Sequence, residues 1–151
     1  MIHTSTGSDV GGLLERLIAH PERYAEVVLC TPFIDAEMIP RLVRLSERAR
    51  RSNLAATVIT SPASAAALRT RLSGNPASWR GLIAECERLH AKVYLALGRQ
   101  GDMSEAIVTS ANLTLAGVSR NIELGVRALS NSDGGRQFIS EVRHFVRRIA
   151  A

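Results

Sequence analysis

The chain has 151 residues, which is a usual size for one domain, and we expect a single domain over residues 1–151. Hydrophobic residues make up 46% and charged residues 22%, values that exclude disordered and collagen-like chains. No run approaches the roughly 20 apolar residues of a membrane-spanning helix, and the N-terminus lacks a secretory signal, so we expect a cytoplasmic protein without a membrane partner. The net charge of +5 favours an acidic partner.

The first half of the chain predicts helices and strands in alternation. Apolar residues recur at helical spacing in some segments, whereas others are short β-branched runs that end at proline or polar residues. In chain order we predict a helix over 8–19 capped by Ser8 or Asp9, a strand over 26–31, a helix over 39–51, a strand over 54–60 and a helix from Pro62 to about Gly74.

The second half predicts a run of strands closed by a helix. A loop over 74–80 contains Trp79, which we interpret as a packing residue rather than a base-stacking one. Strands follow over 81–86, 90–97, 105–109 and 122–129, and the last helix covers 136–149. This order predicts an α/β fold: one domain with a mixed β-sheet flanked by helices on both faces.

Three polar clusters interrupt the apolar strands of the second half: Leu89–Leu95, Thr109–Thr114 and Asn121–Gly125. The first contains the only lysine of the chain, Lys92, two residues after His90. Because strand side chains alternate, His90 and Lys92 project from one face, while Ala91, Val93 and Leu95 project from the other, towards the core.

This pair is suited to attack on a phosphodiester. A neutral imidazole can act as the nucleophile, and a nearby cation stabilises the charge that builds on the phosphoryl oxygens. A carboxylate behind the imidazole would fix its tautomer, and Glu123 is the candidate. Ser110 and Asn112 are placed to donate hydrogen bonds into the same pocket.

The order of these clusters, His-x-Lys, then Ser-x-Asn, then a glutamate on the next strand, resembles the phospholipase D superfamily. The resemblance implies that His90 forms a phosphohistidine, that Lys92 and Asn112 bind phosphate oxygens with support from Ser110, and that Glu123 orients a histidine. It implies no metal and no cofactor.

Two positions depart from that pattern. Leu97 stands where the superfamily usually has an aspartate, and Thr109 replaces the glycine before the serine. Asp102, in the turn that follows, is a candidate to compensate for the missing aspartate. Similar substitutions are familiar in the restriction-type and helicase-linked nuclease branches of the superfamily.

The sequence contains one copy of the motif, whereas members with two copies build one site from both, so we expect a homodimer that shares its site. The sequence predicts a metal-independent nuclease that cleaves DNA or RNA. We expect it to act in restriction or phage defence, within a larger complex that directs it to its target. The alternatives are a phospholipase or phosphatidyl transferase, and a catalytically silent nucleic-acid-binding module.

Arginines on the helices are candidates for a phosphate-backbone track, with ordinary solvated helix surfaces as the alternative. The predicted nucleic-acid-binding residues are Arg41, Arg44, Arg48, Arg51, Arg120, Arg143 and Arg147.

Overall fold

The computed structural model describes residues 1–72 and 82–151. Its strands are β1 (Ile2–Ser5), β2 (Tyr24–Cys30), β3 (Ala55–Thr60), β4 (Leu82–Glu85), β5 (Val93–Gly98), β6 (Glu105–Thr109) and β7 (Gly125–Leu129). Its helices are α1 (Gly7–Ala19), α2 (Ile39–Ser52), α3 (Pro62–Leu72), α4 (Leu115–Ser119) and α5 (Asp133–Ala150), with a 3₁₀ turn at Pro21–Arg23. The loop predicted over 74–80, with Trp79, lies outside the described residues.

All seven strands form one mixed sheet in the order β1-β7-β6-β5-β2-β3-β4. Strands β2, β3 and β4 are mutually parallel, and every other neighbouring pair is antiparallel. As a result the C-terminal ends of β2 and β6 and the N-terminal ends of β5 and β7 lie along the same side of the sheet. We call this side, formed by strand ends, the site edge. The side where β5 and β7 terminate is called the opposite edge.

Two apolar clusters hold the helices on the two faces. On one face α1, α2 and α3 bury residues such as Leu13, Leu42 and Leu68 against alternate positions of the central strands. On the other face α5 packs Ile139, Val142 and Val146 against the remaining positions. The predicted mixed sheet with helices on both faces is therefore confirmed.

Several element boundaries differ from those predicted. Helix α1 starts at Gly7 because Thr6, rather than Ser8 or Asp9, is its N-cap, with the Asp9 carboxylate accepting a hydrogen bond from the Thr6 amide at 2.8 Å. Strand β1 was not predicted; it is a short and mostly polar edge strand that pairs with β7. Helix α4 was not predicted either, because it has five residues, too few to show helical periodicity.

The strands beside the polar clusters are shorter than predicted, which changes the setting of His90 and Glu123. Strand β5 begins at Val93, opposite Cys30, because β2 ends there and Pro32 has no amide to extend the ladder. Strand β7 begins at Gly125. His90, Lys92 and Glu123 therefore lie in the segments just before these strands rather than within them.

No helix in the part of the chain that the structure describes combines the length and the apolar character needed to span a membrane.

Candidate active site at one edge of the sheet

The three polar clusters meet at the site edge. Lys92 immediately precedes β5, Ser110 immediately follows β6, and Glu123 lies two residues before β7. Since β6 lies between β5 and β7 in the sheet, the tertiary fold brings together residues that are 13 to 31 positions apart in sequence. The clustering inferred from the sequence is thus a property of the sheet topology.

The segment before β5 continues the alternation of the strand. Leu89, Ala91 and Val93 contact the apolar cluster under α5, which leaves His90 and Lys92 at the alternate positions. The carbonyl of Lys92 accepts a hydrogen bond from the Thr109 amide at 3.1 Å, so the backbone here is tied to the end of β6. Within residues 1–72 and 82–151, neither the His90 nor the Lys92 side chain has a hydrogen-bond or ion-pair partner.

Glu123 is held by two neighbours of the site. Its carboxylate accepts hydrogen bonds from the Ser110 hydroxyl and, at 3.3 Å, from the Asn121 side-chain amide. The Ser110 hydroxyl also accepts from the Leu124 amide at 3.2 Å, while the Ser110 amide donates to the Leu124 carbonyl at 3.1 Å. These bonds lock the segment after β6 to the segment before β7.

Asn112 is oriented by a residue that the sequence analysis did not identify. The Thr31 hydroxyl lies 3.4 Å from Oδ1 of Asn112 and accepts a hydrogen bond from the Leu113 amide at 3.2 Å. Because Oδ1 of Asn112 faces Thr31, the side-chain NH₂ group points away from Thr31. In this orientation it can donate hydrogen bonds to an anion. The signal in the sequence was the position of Thr31, at the end of a predicted strand and just before Pro32.

Tyr94 is a second supporting residue that the sequence analysis missed. Its side chain is fully buried, and its hydroxyl donates a hydrogen bond to the Ala111 carbonyl at 2.8 Å, between Ser110 and Asn112. Burial, above all, raises the pKa of the Tyr94 phenol. A hydrogen bond with Thr31 opposes this effect, while Cys30 and then Glu123 add smaller increases. The phenol therefore stays protonated and keeps donating to the loop.

Two glycines let the backbone close around this loop. A Cβ atom on Gly7 would lie 2.0 Å from the Gly117 carbonyl oxygen, and one on Gly117 would lie 2.4 Å from the Asn112 carbonyl oxygen. Neither position can hold a side chain without displacing backbone. A Cβ atom on Gly7 would also lie 3.5 Å from Cγ of Glu123, so the first turn of α1 borders the site.

Asp102 does not compensate for the missing aspartate. It lies in the turn after β5, at the opposite edge, where its carboxylate accepts a hydrogen bond from Nε of Arg23 at 2.9 Å. Leu97 itself packs partly buried against the cluster under α5. An aspartate at that position would therefore lie on the face of the sheet that α5 covers.

The predicted arginines are spread over several surfaces rather than gathered at the site. Arg41, Arg44 and Arg48 line an open cleft between α1 and α2 of about 440 Å³. Arg48 donates to the Ile18 and Ala19 carbonyls, both at 3.0 Å, at the C-terminal end of α1.

The other four predicted arginines also lie on separate surfaces. Arg143 and Arg147 pair with Glu26, near the start of β2, at 2.7 and 3.4 Å. Arg51 is exposed in the last turn of α2, on the side of the opposite edge. Arg120 alone of the set lies in the connection between β6 and β7, exposed at the site edge. The role of these arginines in binding stays a prediction.

Among residues 1–72 and 82–151 no group of three or more His, Cys, Asp and Glu side chains is arranged to hold a metal ion.

Comparisons with known proteins give the fold but no close relative. No model of a known protein family matches the chain. No curated protein matches it either.

Solved structures do match, at low sequence identity. Polyphosphate kinase from Porphyromonas gingivalis superposes over 99% of this chain with a TM-score of 0.65 and 16% identity, and the chain spans 26% of that protein. NucT from Helicobacter pylori matches over 97% of both chains with a TM-score of 0.61 and 13% identity. Nuc from Salmonella typhimurium, a phospholipase D family member, matches over 95% of this chain and 91% of its own with a TM-score of 0.56 and 14% identity.

These superpositions cover nearly the whole chain, including its seven-stranded sheet and the helices on both faces. The chain therefore has the phospholipase D-like fold.

Proposed function

We propose that the protein is a metal-independent phosphodiesterase that cleaves DNA or RNA through a phosphohistidine at His90. The observation that carries the proposal is the site edge itself, where His90 and Lys92 stand beside Ser110, Asn112 and Glu123. Neither the imidazole nor the ammonium of the first pair has a partner within the described residues, so both are available to a substrate. The phospholipase D-like fold supports the assignment.

The reaction has two steps. In the first, a ring nitrogen of His90 attacks the phosphorus, the bond from phosphorus to the leaving oxygen breaks, and that oxygen takes a proton from a general acid. Lys92 and the Asn112 amide stabilise the charge on the non-bridging oxygens. In the second step water attacks the phosphohistidine, gives its proton to the same group, and releases the phosphate ester and free His90.

The general acid is the reason for proposing a homodimer. A single chain supplies one His90, and the Glu123 carboxylate in that chain is bonded to Ser110 and Asn121 rather than to it. A second copy related by twofold symmetry would bring in another His90 as the acid, and Glu123 could then orient the imidazole of that copy. Exposed apolar side chains flank Glu123, with Ile122 fully exposed and Leu124 at 70%.

The dimer is tested by placing a charge on the apolar surface beside Glu123. Leu124→Glu is expected to convert a dimer into a monomer in light-scattering chromatography and to abolish cleavage. Met103→Glu, at an exposed apolar residue of the opposite edge, is the matched control. A Leu124→Glu monomer that cleaves as fast as the parent would show that one chain is sufficient.

Nucleic acid is the proposed substrate because of the charge. The net charge of +5 and the exposed Arg120 beside the site favour a polyanion over a neutral or zwitterionic diester. The cytoplasmic location, the link to restriction or phage defence and a larger targeting complex stay predictions.

The reaction is tested with labelled DNA and RNA, single- and double-stranded, in excess chelator. We expect cleavage by the parent and by His144→Ala, which removes an exposed histidine on α5, and none by His90→Ala. Cleavage by His90→Ala at the parent rate would refute the histidine mechanism.

A catalytically silent nucleic-acid-binding module is the second candidate. It is favoured by Leu97 in place of the usual aspartate and by the lack, within the described residues, of a carboxylate partner for His90. It predicts salt-sensitive binding that His90→Ala leaves intact, with no cleavage of any substrate.

A further inference from the structure

Phe33 is an aromatic residue exposed at the site edge. Its side chain is 60% exposed in the segment that follows β2. The other described aromatic side chains are packed: Tyr24 and Tyr94 are buried, and Phe138 and Phe145 contact the cluster under α5. Among residues 1–72 and 82–151, Phe33 is thus the aromatic ring that faces solvent.

The exposure of this ring does not come from a loose loop. Both neighbours, Pro32 and Ile34, are buried, and the Ile34 amide donates to the Ser64 hydroxyl at 3.2 Å. The Thr31 hydroxyl shares its single hydrogen between the Phe33 carbonyl at 3.2 Å and Oδ1 of Asn112 at 3.4 Å. The backbone holds the residue firmly on both sides while its large apolar side chain stays in water, an arrangement that costs burial energy without a packing role.

The position of Phe33 relates it to the proposed phosphate-binding group. The Thr31 hydroxyl that contacts the Phe33 carbonyl also lies 3.4 Å from Oδ1 of Asn112. Ile34, the next residue, forms a bridge with Leu113. A phosphodiester bound by Asn112 and Lys92 would therefore place an adjacent nucleoside beside the Phe33 ring.

We propose that Phe33 is a base-stacking subsite for a nucleobase next to the scissile phosphodiester, and that the preferred substrate is single-stranded nucleic acid. Aromatic side chains stack on every base, so the subsite selects for an accessible base rather than for a sequence. A duplex keeps its bases stacked on each other and cannot offer one without unpairing it. This inference rests on the proposed function, because it assumes that the diester bound at the site edge belongs to a nucleic acid.

The test is a binding series in the His90→Ala background, so that substrate is not consumed. Fluorescence anisotropy would compare Phe33→Ala, Phe33→Leu and Phe33→Trp on a single-stranded oligonucleotide, an abasic oligonucleotide of equal length and charge, and a duplex. Met103→Ala, at an exposed apolar residue of the opposite edge, is the matched control. Light scattering would follow the oligomeric state of each variant.

We expect Phe33→Ala and Phe33→Leu to weaken binding of the single strand by about 5-fold to 150-fold, the range for loss of one stacked base. Phe33→Trp should retain binding, and all variants should bind the abasic strand equally and with the same salt dependence. An equal loss on normal and abasic strands, parent-like binding by Phe33→Leu, or a change of oligomeric state in the Phe33 variants would overturn the stacking subsite.

Cleavage assays separate this inference from the proposed function. If the parent cleaves nucleic acid and Phe33→Ala does so with unchanged KM and kcat, the stacking subsite is wrong and the nuclease assignment stands. If binding depends on the ring but the parent cleaves nothing, the nuclease reaction is wrong and the stacking subsite stands. If no oligonucleotide binds, both are wrong.

Discussion

Three cationic side chains of the site edge differ from a charged cluster towards the opposite edge in whether they have partners. Towards the opposite edge, the buried Glu105 carboxylate accepts hydrogen bonds from Arg16 at 2.7 Å and Arg127 at 2.6 Å. Nearby, Arg23 pairs with Asp102 at 2.9 Å. At the site edge, by contrast, the side chains of His90, Lys92 and Arg120 have no hydrogen-bond or ion-pair partner within the described residues.

From this difference we expect one end of the sheet to contribute to stability and the other to the proposed function. Ion pairs and hydrogen bonds to a buried carboxylate stabilise the fold, because a buried charge without partners is costly. Charges left without partners contribute little to stability but are available to an anionic substrate. We therefore expect substitutions at the two edges to affect different measurements.

Loss of the lysine ammonium should have the largest effect of the substitutions that test this comparison. We expect Lys92→Ala to lower kcat by about 10²-fold to 10³-fold, as for the loss of one group that stabilises transition-state charge. The free energy of unfolding should change by no more than about 0.5 kcal/mol, since the ammonium has no partner in the described part of the chain. Single-turnover kinetics and urea unfolding measure the two quantities. Parent-like kcat would remove Lys92 from the site.

The reverse pattern is expected at the opposite edge for Glu105→Gln. Removing this buried charge leaves Arg16 and Arg127 without their carboxylate and should lower the free energy of unfolding by about 2–3 kcal/mol. Cleavage per folded molecule should be unchanged. Glu15→Gln, at an exposed glutamate of α1, is the control and should have little effect on stability. A parent-like unfolding curve for Glu105→Gln would show that the ion pairs contribute nothing.

A smaller effect should distinguish the arginines at the two edges. Arg120→Ala is expected to reduce the salt dependence of oligonucleotide binding by about one phosphate contact and to weaken binding by about 1 kcal/mol. Arg143→Ala removes the nearer of the two arginine partners of Glu26 and should alter stability more than binding. If both variants weaken binding equally, the arginine track predicted from the sequence extends over α5, and the contrast between the edges does not hold for binding.

The effect that is smallest at neutral pH, and appears only in alkaline solution, concerns the buried Cys30 thiol. Burial, and then the nearby Cys86, raises the pKa of Cys30 from 9.0 to about 12. The folded state therefore keeps this proton at pH values where the unfolded chain loses it, so the free energy of unfolding falls as the pH rises from about 9 to about 12. Cys30→Ala should flatten that decline, as measured by urea unfolding at several alkaline pH values. If the free energy of unfolding fell equally steeply with pH in the parent and in Cys30→Ala, the raised pKa of Cys30 would be contradicted.

Most of the fold could be predicted from the sequence, because long apolar patterns report burial directly. The stripe of α5 and the β-branched run of β3 are clear examples, and both elements formed within a few residues of the expected bounds. The short elements β1 and α4 could not be predicted, since four or five residues carry too little periodicity. Their existence depends on β7 and on the first turn of α1, against which they pack.

The polar residues of the candidate site could be predicted from the sequence, but the residues that position them could not. His90, Lys92, Ser110, Asn112 and Glu123 stand out because they are polar residues at the ends of apolar strands. Thr31 does not stand out in this way, because its importance comes from contact with a segment about 80 residues away. Phe33 does not stand out because only the structure shows that its ring is exposed. The structure also shows that Asp102 faces the wrong edge, which depends on the direction of β5.

The sequence by itself determined the α/β class, the two buried faces of the sheet and the set of candidate site residues, because periodicity and residue chemistry are local properties. Only the tertiary structure decided which ends of the strands share an edge, which charges find partners, and which residues orient Asn112. Those outcomes depend on strand direction and register, and hence on hydrogen bonds between residues that are distant in the chain.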